Sequence, residues 1–394
     1  MSRSQLRGLG TLGVLIGLLA ASSLHASEVR FRGLLDLVAV DLGHALDLNQ
    51  LTRGDSPFDA ARMRAFADAT VNDRVQVFAQ VVMGDATDFY VDGAYVVVTP
   101  DPQRDAHALI GKIPWAIGTY APRTYSDKNP LIGSPLMYQY HSSLVFYSVA
   151  PNPDVLLAAA GTGQRGVNYF GYAMGPGMPL VDDSYWDVGI TLTGSQRPFE
   201  YALGVTQGTP GWGSTPRDEN TGKTVLGRVG FAPVPALRIG FSGAIGPYLA
   251  GVEASLPPGK GVNDYHQKLA MADGELSLGH VELRAEGARN VWESPAIGDL
   301  EVTSGYVELK YLLDFGGYLA GRLDVERFGK IAPSSGARRP WDLDVTRYEI
   351  GAGYRFDTRV RAKAVYQGTT RDAGAAGIAD QNESLVAAQL SVAF

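Results

Sequence analysis

The sequence predicts an all-β fold, a transmembrane antiparallel β-barrel of about sixteen strands. Three observations carry this expectation. Polar and apolar residues alternate with period two from residue 28 to the C-terminus. Tight turns take turns with long connections. Beyond the N-terminus no apolar run reaches the roughly eighteen residues that a spanning helix needs.

The N-terminal element is a leader. Arg3 and Arg7 precede an apolar run from Leu9 to Ala20, and small residues lead to Leu24-His25-Ala26. That order predicts a secretory signal peptide over 1–26, cut after Ala26, with 27–394 as the exported barrel. The chain has no cysteine, so disulfides cannot stabilise it after export. Its formal charge is -7, and losing Arg3 and Arg7 with the leader makes it -9. An acidic balance with scattered basic residues argues against nucleic acid as a partner.

Strands are predicted at 28–40, 62–71, 74–83, 89–98, 105–112, 185–194, 198–207, 223–232, 237–246, 267–277, 280–291, 300–313, 317–328, 342–356, 359–370 and 383–394. In the third, Val75, Val77, Ala79 and Val81 alternate with Arg74, Gln76, Phe78 and Gln80. In the fifteenth, Val360, Ala362, Ala364 and Tyr366 alternate with Arg359, Arg361, Lys363 and Gln367. Such alternation also fits a water-soluble sandwich, so the connections must decide.

Every second connection is tight, as at Asn72-Asp73, Leu278-Gly279, Asp314-Phe315-Gly316 and Asp357-Thr358. The alternate ones are mostly long and polar or Gly/Pro-rich, including 41–61, 208–222, 247–266, 329–341 and 371–382. Short turns at one rim and long loops at the other, with an even strand number, describe a barrel closed in a membrane. Aromatic girdles are predicted from Trp186, Phe199, Tyr201, Phe231, Phe241, Tyr311, Tyr348, Tyr354 and Phe356.

The last strand places Val386, Ala388, Leu390, Val392 and Phe394 on one face, and the chain stops on an aromatic. Here the sequence resembles Gram-negative outer-membrane porins, of the general or phosphate-selective type. Gly111-Lys112-Ile113-Pro114 is similar to the start of a porin constriction loop. The resemblance implies an outer-membrane diffusion pore for small hydrophilic solutes or ions. It further implies contact with outer-membrane lipid, possible homotrimer formation, no cofactor and no enzymatic activity.

Residues 113–184 form one connection far longer than the rest, and long structured insertions are usually functional. One expectation folds it into the lumen, bringing Lys112, Arg123, Asp127 and Lys128 to the solute. The alternatives are an external lid, or a further strand pair within Ser142–Ala150 and Val155–Ala160, making eighteen strands.

Basic residues on inferred lumen faces are Arg30, Arg32, Arg62, Arg64, Arg74, Arg359 and Arg361. The first and last strands must meet at closure, so these residues are expected along one wall, where they would favour anions. Glu282, Glu286, Glu308, Asp324 and Glu326 are expected opposite, interleaved with Arg284, Lys310 and Arg322. Mutual pairing inside a wide wet lumen is the alternative.

Two other functions stay open: a non-conducting scaffold or adhesin barrel plugged by 113–184, and an outer-membrane hydrolase. The hydrolase would need His141 to activate Ser142, but neighbours on an extended chain point apart. The six His have no metal-ligand spacing. The glycine-rich run 161–166 lacks the βαβ context of a dinucleotide site.

Overall fold

The computed structural model describes residues 28–44, 58, 60–84, 88–163, 177–182, 186–212, 220–372 and 381–394. The predicted leader 1–26, parts of several long connections and residues 164–176 of the insertion lie outside the described residues.

The strands are β1 (Glu28–His44), β2 (Ala61–Asn72), β3 (Val75–Gly84), β4 (Asp88–Val98), β5 (Ala106–Pro114) and β6 (Trp186–Gln196). They continue with β7 (Phe199–Thr206), β8 (Thr224–Val234), β9 (Leu237–Pro247), β10 (His266–Leu278), β11 (Val281–Ser294), β12 (Gly298–Leu312) and β13 (Gly317–Phe328). After two short segments, β14 (Lys330–Ile331) and β15 (Arg339–Pro340), come β16 (Asp344–Arg355), β17 (Val360–Asp372) and β18 (Gln381–Ala393).

Sixteen of these close one antiparallel barrel in the order β1-β18-β17-β16-β13 and then down through β12 to β2. The β14–β15 pair is a small ribbon in the connection between β13 and β16, outside the barrel. All sixteen predicted segments are barrel strands. The eighteen-strand alternative fails at a recognisable place. Pro153–Ala158 is a helix, because the Asn152 side chain accepts the Val155 N–H at 3.0 Å and Pro153 opens the first turn.

Closure is made by β1 and β18, paired from Leu34↔Ala393 to His44↔Ser384. Phe394 adds two backbone bonds with Gly33, at 2.7 and 3.0 Å. A side chain at Gly33 would collide with the Phe394 ring, so the terminal aromatic lies in a notch that only glycine leaves.

The two faces of the wall are inverted relative to a water-soluble protein. Ile190, Leu203, Val229, Val307, Leu323 and Ile350 point out and are half or more exposed. Asp324, Glu326, Arg347, Glu349 and Arg371 point in and are fully buried. An apolar outside suits hydrocarbon, and closure leaves no strand edge without a backbone partner. This inversion rules out the sandwich that alternation alone allowed. The girdle aromatics are exposed, with one correction. Trp186 is buried, stacked on Phe78 at 6.1 Å between ring centres and packed over Gly93, which has no side chain to obstruct it.

Candidate functional site

The insertion between β5 and β6 turns into the lumen, and the barrel's inner charges hold it there. Gly111 (φ +132°) lies within β5, where a side chain would strike the Ala94 carbonyl. Gly118 (φ +61°) then sits 2.7 Å, measured from its missing Cβ, from the Tyr138 hydroxyl.

From there the chain crosses the bore at mid-height. The Gly118 N–H donates to Ser242 Oγ on β9 at 3.0 Å, and the Thr119 hydroxyl donates to Glu286 on β11 at 2.6 Å. Arg123 pairs with Glu308 on β12 and lies over the Tyr120 ring. On the far side, the Tyr125 hydroxyl donates to Gln80 on β3 at 2.7 Å, and Ser126 donates to Asp36 on β1.

The return path is held by wall groups of both polarities. Lys363 on β17 donates to the carbonyls of Ser126, Asn129 and Leu131 at 2.8, 2.9 and 3.0 Å. Arg361 donates to the Asp127 carbonyl, and Tyr318 to that of Pro130 at 2.9 Å. Glu349 on β16 accepts the N–H groups of Ile132 and Gly133 at 3.1 and 2.8 Å. Arg322 donates to the Gly133 carbonyl at 2.9 Å while pairing with Glu349, Asp324 and Glu308 at 2.7, 3.1 and 3.4 Å. Asp324 accepts the Leu136 N–H at 3.2 Å. Wall carboxylates thus take the loop's N–H groups and wall cations take its carbonyls, satisfying backbone that has left the sheet.

Behind this strap the lumen holds an apolar core. Trp115, Ile117, Leu136, Met137, Leu156 and Leu180 of the insertion pack with Leu226, Leu269, Met271, Trp292, Val302 and Val345 of the barrel. Near the long-loop rim, Asp342 accepts from the Tyr140 hydroxyl at 3.1 Å and from the N–H of Gly161 at 2.7 Å. Burial pushes its carboxyl above the ordinary range, against the pull of those N–H bonds.

The predicted site residues divide into four groups. Arg30 and Arg32 face the lumen and stay exposed, paired with Glu28 and Asp68 at 2.7 Å each. Arg62, Arg64, Lys112, Arg123 and Arg361 face inward and are buried or half-buried. Arg64 meets Asp36 at 3.4 Å, and Lys112 donates to the Val91 carbonyl at 2.7 Å. Asp127 and Lys128 pair at 3.3 Å at the strap's tip, with Lys128 mostly exposed. Arg74 and Arg359 lie in the short turns, exposed at the rim and away from the strap.

On the opposite wall, Glu282, Glu308, Arg284, Lys310 and Arg322 form a chain of ion pairs. Glu286 and Asp324 hold the strap, and Glu326 accepts from Ser304 at 3.2 Å. Sequence reasoning did not single out Asp36, Arg347, Glu349 or Lys363 as contact residues. Their signal was present only as polar positions on inner faces.

His141 donates from Nδ1 to the Gly177 carbonyl at 2.6 Å, and Ser142 donates to the Met178 carbonyl at 2.8 Å. Burial pulls the imidazole below its ordinary value, although the Gly177 bond opposes this.

No family model and no curated protein matches the chain in sequence. Solved structures do match. The anion-selective porin from Comamonas acidovorans superposes with a TM-score of 0.59 at 10% identity, over 93% of this chain and 99% of that one. The trimer form of in-vitro folded OmpT, an outer membrane protein of Vibrio cholerae, gives 0.53 at 12%, over 93% and 99%. The outer membrane channel DcaP of Acinetobacter baumannii gives 0.55 at 8%, over 93% and 97%.

The fold is that of the Gram-negative outer-membrane porins. The likeness reaches architecture, not side chains. In this porin-type barrel the inward strap is the third connection at the long-loop rim, after β1–β2 and β3–β4.

Proposed function

We propose that the chain is exported with 1–26 as a cleaved leader. It then forms a passive outer-membrane channel for small hydrophilic solutes or ions, without enzymatic activity. The observation that carries this reading is the strap: a built constriction, braced by wall charges at mid-height. Polar cavities open on both sides of it. One of about 740 Å³ lies at the long-loop mouth, bordered by Asp154, Lys330, Arg338 and Asp344. Another of about 540 Å³ lies in the short-turn half, bordered by Arg30, Arg32, Asp68 and Gln76. A homotrimer in outer-membrane lipid belongs to the same reading, supported by the trimer form of one neighbour.

A second reading is favoured by the apolar core behind the strap, which suits a barrel plugged to act as a scaffold. Single-channel recording of the refolded barrel in a planar bilayer separates the two. Stable ohmic steps are expected; a folded but silent barrel overturns the channel and supports the plug. Hydrolysis would require Ser142 to leave Met178 for His141, so the Ser142→Ala variant is expected to match the wild type in every channel property.

A further inference from the structure

The cavity in the short-turn half places exposed arginines beside a cluster of aromatic rings. Its register row runs straight across four strands: Arg30 on β1, Asp68 on β2, Phe78 on β3 and Tyr95 on β4. All four border the cavity, as does Arg32 one step along β1. Neighbouring strands lie about 4.8 Å apart, so Phe78 sits about 10 Å and Tyr95 about 14 Å from the Arg30 backbone, a span that the Arg30 side chain and a small ring-bearing anion bridge together.

The guanidinium groups are available there. Arg30 is 69% exposed and Arg32 62%, and their partners Glu28 and Asp68 are exposed as well. Exposed ion pairs of this kind are weak, and each guanidinium has five donors to share. Arg228 on the opposite wall differs. It is only 12% exposed and bracketed by Asp273 and Glu200.

The rings are stiffly backed. Phe78 is 4.9 Å from Tyr95 and stacks on buried Trp186 at an interplanar angle of 10°. Phe66, under the Arg32 guanidinium at 5.5 Å, extends the same surface. The result is a supported aromatic platform beside two exposed arginines, in a cavity of ordinary ligand-site size.

We infer that this cavity is a binding site for small organic anions carrying a planar ring, with the carboxylate on Arg30 and Arg32 and the ring on Phe78 and Tyr95. The site deepens the channel reading by naming a solute class. Its ion-pairing half attracts any small anion; its aromatic half discriminates among them.

Calorimetric titration of the refolded full-length barrel in detergent with sodium benzoate, against sodium acetate, tests this. Saturable benzoate binding is expected, with acetate about tenfold weaker for want of ring stacking. Arg32→Gln should weaken benzoate about tenfold by removing charge-assisted hydrogen bonds. Phe78→Leu should weaken benzoate while leaving acetate unchanged, with the β-sheet circular dichroism signal retained in both. Equal binding of the two anions, or benzoate binding indifferent to both substitutions, overturns the site. Bilayer recording on the same preparation keeps the two claims apart. Conduction without saturable benzoate binding sinks the site alone. A silent barrel that binds benzoate sinks the channel alone.

Discussion

The inner face of the barrel has two walls of similar composition and different use. Along β11, β12, β13, β16 and β17 the charged residues touch the strap or one another: Glu286, Glu308, Arg322, Glu349 and Lys363 all make strap contacts and are all buried. At the short-turn ends of β1 and β2 the strap does not reach, and Arg30, Arg32 and Asp68 stay wet. A charged residue in a lumen is therefore no guide to solute contact. Whether a loop leans on it decides whether it braces the fold or meets the solute.

The comparison breaks most sharply at Arg322, which neutralises Glu308, Asp324 and Glu349 at the centre of the strap wall. Arg322→Ala removes the cation that three buried carboxylates share, leaving Glu308 to Arg123 and Arg284 and leaving Asp324 and Glu349 with their strap N–H bonds, an expected loss of about 3–5 kcal/mol. Urea unfolding in lipid vesicles measures it, and a loss no larger than that of a surface pair would put this wall in the solvated class. Next comes Lys363→Met, which frees the carbonyls of Ser126, Asn129 and Leu131. A loss of about 2–3 kcal/mol is expected for those buried acceptors. In the proposed channel the conductance should rise as the strap tip loosens. A conductance equal to the wild type would show that the strap keeps its place without this lysine.

Much of this was legible in advance, and the exceptions have physical causes. Period two and turn length locate strands well because both are local properties; the largest shift is at the end of β1, which runs on to His44. The helix at Pro153–Ala158 was hidden because Val155 to Ala160 is apolar enough to pass for a strand, while the deciding cap lies one residue upstream at Asn152. Trp186 was misplaced because a buried stack with Phe78 depends on strands that are distant in sequence. Arg74 and Arg359 were assigned to the lumen from alternation, but each falls just before its strand begins, where the face rule no longer applies. The pairing of Glu349 and Lys363 with strap backbone involves contacts over 200 residues, which no spacing rule reaches.

The seam between β1 and β18 joins the two walls and gives a smaller effect. Gly33→Val places a branched side chain where the Phe394 ring lies, so the ring must leave or the strands part. Overpacking of this kind costs about 1–3 kcal/mol. It should be recovered in part by pairing Gly33→Val with Phe394→Ala, which removes the ring. A double variant no more stable than the single would show that the ring does not occupy the notch.

The smallest stability effect, and the one that separates the walls best, belongs to Arg32→Gln. Its ion pair with Asp68 is exposed, so the urea midpoint should stay at the wild-type value. The reversal potential in a salt gradient should nevertheless move toward cations, because the substitution removes a positive charge from a wet wall and leaves Asp68 behind. Salt gives the decisive control. Screening lengths of about 30 Å at 0.01 M and about 3 Å at 1 M predict a large shift in dilute electrolyte and almost none in concentrated. A shift that persisted at 1 M would mean that Arg32 contacts the ion directly at the narrowest point, and the division into a bracing wall and a wet wall would have to be redrawn around it.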